Sequence, residues 1–92
     1  MHIASLRLQL EITDGVTLKD KRQVIRSLLD RMRHFNVSAA EVGDNDSVRY
    51  ATLAAVAVAN DPRFLDGMMA RLADLVEREP RVAVMSREFE FV

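Results

Sequence analysis

The chain has no cysteine and no tryptophan, and only three glycines, two prolines and five aromatic residues among its 92. Without cysteine there is no disulfide, no thiolate nucleophile, no cysteine-ligated zinc and no iron–sulfur cluster. Three isolated glycines build no glycine-rich phosphate loop, and the segment Thr13-Asp14-Gly15-Val16-Thr17 is no anion cradle. His2 and His34 are the two histidines, one near the start and one near a helix end. No nucleophile, base and orienting group assemble from this inventory, so no enzyme, no catalytic residue and no cofactor is expected. Asp44-Asn45-Asp46 lacks the further ligands of a calcium loop and reads as a polar turn, so no metal site is expected either. No apolar run approaches the ~18 residues of a membrane helix, and the start lacks the basic region of a signal peptide. A cytoplasmic protein without membrane contact is the expectation. What is present is a 49% hydrophobic, 29% charged chain of net charge -1. That composition offsets ordering entropy and supports one core in a single domain over residues 1–92.

Hydrophobic periodicity orders the elements. Leu6, Leu8, Leu10 and Ile12 alternate with Ser5, Arg7, Gln9 and Glu11, which predicts a half-buried strand over 5–12. The period then changes. Leu18, Val24, Ile25, Leu28, Leu29, Met32 and Phe35 share one helical face, predicting a helix over 18–35. Thr17 is placed as its N-cap, with Asp20 completing a capping-box pair, and Asn36 as its stop. A short strand over 37–42, a polar turn over 43–47 and an apolar strand over 48–59 follow. Asp61 and Pro62 start a second helix as N-cap and first helical residue, and Pro80 closes it. Residues 81–92 return to period two, with Val82 and Val84 on one side and Met85, Phe89 and Phe91 on the other.

Strand, helix, strand, strand, helix, strand is the order of a split βαβ unit. With right-handed crossovers it gives a ferredoxin-like α+β sandwich (βαββαβ): a four-stranded antiparallel sheet with two helices on one face. The first and third strands are central. The uncovered face then carries Arg7, Gln9 and Glu11 beside small apolar residues. It lacks the aromatic pairs on which RNA-reading sheets stack bases, Tyr50 excepted. Such a small-residue patch suits self-association, and a homodimer through the open sheet face or an edge strand is the expectation.

One charge pattern departs from an evenly mixed surface. Between residues 19 and 33 lie six cationic and two acidic residues, a local charge of +4 in a chain of net -1. On a helical projection with Leu18 at zero, Lys19, Arg22, Arg26 and Arg33 fall between about 40° and 100°, at the border of the apolar arc. They span about 21 Å of axis. Lys21 projects inside the apolar arc and escapes it only past the end of the sheet. Lys19, Lys21, Arg22, Arg26 and Arg33 are therefore the candidate residues for nucleic-acid or anion binding. A row of guanidiniums fits phosphates without base contacts, which favours a non-enzymatic RNA- or ribosome-associated accessory module. The alternative is a dimeric regulatory or protein-interaction domain that binds a small anionic ligand near the N-terminus of the first helix through Lys21.

Thr17-Leu18-Lys19-Asp20-Lys21-Arg22 is similar to the Ser-Leu-Lys-Glu-Lys-Arg signature of the YlxP-like family of small bacterial proteins of unknown function. Phe35-Asn36-Val37-Ser38 followed by Glu41 resembles that family's second motif, and Val56-Ala57-Val58 a third. The resemblance covers essentially the whole chain and implies the same ferredoxin-like fold. Members are often encoded beside translation-initiation and ribosome-maturation factors, which implies a link to RNA or the ribosome by association. The family has no established catalytic residues to carry over. Many relatives have Trp, Gln and Arg after the hairpin turn, where this chain has Val48, Arg49 and Tyr50.

Overall fold

The computed structural model describes residues 1–15 and 17–92. Val16, in the segment excluded above as an anion cradle, lies outside the described residues. The elements run β1 (His2–Ile12), α1 (Leu18–Met32), β2 (Ser38–Gly43), β3 (Tyr50–Ala59), α2 (Pro62–Glu77) and β4 (Val82–Phe91). The four strands form one antiparallel sheet in the order β2-β3-β1-β4, with β1 and β3 central. This is the split βαβ sandwich that the periodicity predicts. Its core is where the even residues of β1 meet the apolar faces of both helices. Leu8, Leu10, Leu28, Leu53, Leu65 and Leu72 are fully enclosed there.

Local chemistry fixes the helix starts. Thr17 is extended at φ -129° and ψ 161°, and its Oγ1 accepts from the Asp20 amide at 3.1 Å. The Asp20 carboxylate accepts in return from the Thr17 amide at 3.1 Å. The reciprocal pair satisfies two of the donors that a helix start otherwise leaves unmade. Asp61 caps α2 by accepting from the Arg63 amide at 2.9 Å, with Pro62 in the first turn.

The ends of elements differ from the sequence expectations for identifiable reasons. β1 begins earlier than expected, because His2 and Ile3 pair with Ala59 and Val58. α1 stops at Met32 and not at residue 35. His34 and Phe35 donate to the carbonyls of Arg31 and Met32, three residues back, which tightens the chain out of α geometry. Phe35 still packs against the core, so its hydrophobic phase outlasts the helix. β3 starts at Tyr50 and not at residue 48, because the Ser47 hydroxyl accepts from the Arg49 and Tyr50 amides.

The largest correction lies in β4. Gln9 pairs with Ser86 and Leu10 with Val84, so Met85 is an extra residue, a β-bulge. A one-residue insertion inverts the side-chain phase downstream. Val82 and Val84 oppose Ile12 and Leu10; Phe89 and Phe91 oppose Leu6 and Ala4. All four therefore lie on the helix side, whereas strict period two put the phenylalanines opposite the valines. The two rings meet edge to face at 5.0 Å. Glu88 and Glu90, opposite Arg7 and Ser5, are left on the open face.

Candidate functional site

Two buried charges hold the frame on which the surface charges stand. Lys21 is 1% exposed. Its Nζ forms an ion pair with Glu41 of β2 at 2.9 Å and donates to the Asp44 carbonyl in the β2–β3 turn. Asp44 sits in the left-handed region at φ 61°, which an aspartate tolerates better than most residues. Gly43 precedes it, and a side chain there would press on Thr52 at 3.2 Å. The lysine thus runs past the end of the sheet, as its place in the apolar arc requires. Its charge is satisfied internally, which corrects the expectation that Lys21 holds a small anion beside the start of α1.

Glu79, 6% exposed, is the second buried charge. Arg81 grips it with Nε at 2.9 Å to one carboxylate oxygen and Nη2 at 2.9 Å to the other, and Arg31 adds Nη2 at 2.7 Å. Hydrogen bonding from Arg81 is the main cause that lowers the Glu79 carboxyl from 4.5 to about 2. The clamp fixes the α2–β4 turn beside the end of β1, where Thr13 donates to the Arg81 and Pro80 carbonyls.

The remaining sequence candidates lie on the outside of α1. Lys19, Arg22 and Arg26 are exposed, and among the described residues none has a carboxylate within 4 Å. They follow one another at three and four residues, along one helical row. Arg33, at the C-cap, continues the row and is half exposed. Its guanidinium donates to the Ala39 carbonyl of β2 at 2.9 Å and stands 3.8 Å from Asp30. That contact orients the row: it borders the β2 edge of the molecule, on the flank of α1 that faces away from α2. Arg31, the remaining cation of this stretch, turns away from the row and pairs with Glu79 through one Nη.

Arg49 does not join the row. It pairs with Glu11 at 2.7 Å on the open sheet face, and its guanidinium lies 5.6 Å over the Tyr50 ring. The single aromatic that the central strands offer on that face is thereby covered by the chain's own cation.

Sequence periodicity missed two unpaired cations. Arg71 and Arg78 of the α2 region are exposed and have no carboxylate partner among the described residues. With Leu75 between them they occupy one flank of the helix, where they meet Arg31 and Phe35 across a groove of about 290 Å³. Their spacing of four and three was available in the sequence. Its meaning depends on α2 lying beside α1, which spacing alone does not show.

Among the described residues no helix is long and apolar enough to cross a membrane. A comparison with curated proteins finds no match. Among solved structures the chain is similar to LarC2, the C-terminal domain of a cyclometallase involved in the synthesis of the NPN cofactor of lactate racemase, in its apo form. That similarity has a TM-score of 0.43 at 8% identity, over 100% of this chain and 56% of that one. The family model "Protein of unknown function (DUF503)" matches residues 3–89, and the chain belongs to that family.

Proposed function

We propose that the protein is a non-enzymatic, RNA-binding accessory module of the YlxP-like type that contacts phosphates through the outer row of α1. The observation that carries this reading is the alignment of Lys19, Arg22 and Arg26, exposed and without carboxylate partners among the described residues, extended by Arg33. Like charges three and four residues apart destabilise a helix by about 0.2–0.5 kcal/mol per pair, and Lys19 in the first turn opposes the helix dipole. A solubilising surface needs no such arrangement, since mixed charge serves as well. Guanidiniums fork onto phosphate oxygens and need no base edge, which suits a chain whose central strands carry a single aromatic, Tyr50. Three or four phosphate contacts to single-stranded RNA give a log–log salt slope of about -2 to -3. Binding of the full chain to a labelled RNA oligonucleotide across a salt series tests this. The double reversal Arg22→Glu/Arg26→Glu is expected to weaken binding and bring the slope about 1–2 closer to zero. An unchanged slope, or no RNA binding by the parent chain, removes the reading.

A second reading concerns the open sheet face. Val56 and Val58, 45% and 55% exposed, stand there beside Ile3 and Ala54. Their exposure supports a homodimer through that face. Light scattering at high micromolar concentration is expected to give twice the monomer mass, and Val56→Lys to return it to one. A monomer mass for the parent chain overturns it.

A further inference from the structure

We propose that the groove between α1 and α2 is a separate binding site for a nucleoside phosphate. Its walls are Arg31 at the end of α1, Phe35 just beyond it, and Arg71, Leu75 and Arg78 along one flank of the α2 region. The cations are partly pre-set. Arg31 is held by Glu79 at 2.7 Å and by the Ser27 carbonyl, and Arg78 donates its Nε to the Asp74 carbonyl at 3.3 Å. Each guanidinium carries five N–H donors, so both keep donors for a ligand, and Arg71 has no carboxylate partner among the described residues. Among the described residues the one carboxylate that meets this group is Glu79, and it is shared between Arg31 and Arg81. Two guanidiniums with no carboxylate partner among the described residues, beside a third held by Glu79, call for an anion.

The floor narrows the kind of anion. Phe35 and Leu75 are half-buried and leave apolar surface open between the cations. Inorganic phosphate leaves that surface wet. A flat, weakly polar ring attached to a phosphate covers it, with the base on Phe35 and the phosphate among the arginines. The volume, about 290 Å³, lies at the small end of ligand sites and suits one nucleotide. The source is a free mononucleotide or one nucleotide of an RNA chain. The groove flanks α1 on the side opposite the Lys19–Arg22–Arg26 row, so this site stands or falls independently of that row.

The full-length chain, isotope-labelled, is titrated with adenosine 5′-monophosphate, inorganic phosphate and a short single-stranded RNA while amide resonances are followed. Saturable shifts at Phe35 and residues 71–78 are expected with the mononucleotide if the source is free, or with the oligonucleotide alone if it is chain-bound. Arg71→Gln and Arg78→Gln, both exposed and expected to melt like the parent, each weaken that binding about tenfold. Phe35→Leu weakens nucleotide binding and leaves phosphate binding unchanged. Arg22→Glu/Arg26→Glu leaves mononucleotide binding intact, which separates this site from the outer row. No saturable shift with either nucleotide probe, shifts that ignore the arginine variants, or phosphate binding as tight as the nucleotide each overturn the proposal.

Discussion

Arg87 and Arg26 stand on opposite flanks of the same helix layer, and only one of them meets carboxylates. Arg87 of β4 lies 3.3 Å from Glu77 and 3.9 Å from Asp74, both of α2. Arg26 of α1 has no such neighbour among the described residues. The pattern extends beyond these two. Lys21, Arg31, Arg49, Arg63 and Arg81 are all paired with carboxylates. Among the described residues Lys19, Arg22, Arg26, Arg71 and Arg78 have no such partner, and all five lie on the helix layer. Arg7, on the open face, likewise has none among the described residues. In a chain of net charge -1 there are acids enough to neutralise every cation. Their placement leaves the α1 side of the helix layer positive. The difference between the flanks therefore marks α1 and its groove as the surface to probe, and four substitutions sharpen or break it.

The largest effect is expected where a paired cation loses its partner in the interior. Glu41→Ala strands the Lys21 ammonium with the Asp44 carbonyl, and urea unfolding is expected to show a loss of about 3–5 kcal/mol. A loss below about 1 kcal/mol would mean that the charge finds solvent and that the lysine is not locked. Next comes Glu79. Glu79→Gln leaves two half-solvated guanidiniums with a neutral partner, an expected loss of about 2 kcal/mol at neutral pH. Its folded-state carboxyl is lowered from 4.5 to about 2. The stability it adds is therefore fully present above the unfolded value and lost as pH falls through the folded one. Acid unfolding of the parent between pH 4.5 and 2 is expected to steepen accordingly, and the Gln variant to lose that part of the profile. The smallest effects separate the flanks directly. Arg87→Gln is expected to destabilise by about 0.5 kcal/mol. Arg26→Gln is expected to be neutral or to stabilise by about 0.3 kcal/mol, through relief of its repulsion from Arg22. Equal losses from the two would show that the outer row is a structural asset and would weaken its reading as a binding surface.

The fold was legible because each element carries its own period and its own start signal. Thr17 with Asp20, and Asp61 with Pro62, announce the helices; the alternating leucines of β1 announce the sheet. Phase errors arose where one residue changes the count. Met85 is apolar, fits period two on either side and leaves no sign that it bulges, so period two alone places Phe89 and Phe91 on the wrong face. Phe35 kept helical phase beyond the helix for a similar reason: a tightened turn holds its side chain near the same direction. For the site, the row of Lys19, Arg22, Arg26 and Arg33 lies within one element, and helical geometry alone places it. Lys21 was recognisable as misplaced on its helix, yet its partner Glu41 lies on a strand 20 residues away. The groove was illegible for the same reason, since Arg71 and Arg78 gain meaning only when tertiary packing sets Phe35 and Arg31 opposite them.

The anchoring of Lys21 reaches beyond electrostatics. Its head group grips a main-chain oxygen at the tip of the β2–β3 hairpin and so tethers the tip to the opening turn of α1. Hairpin tips ordinarily fray first. Here amide hydrogens around residues 43–47 should exchange with deuterium more slowly than those at the unanchored β3–α2 corner, and the ordering of that tip should reach the solvent-facing row of α1 as rigidity.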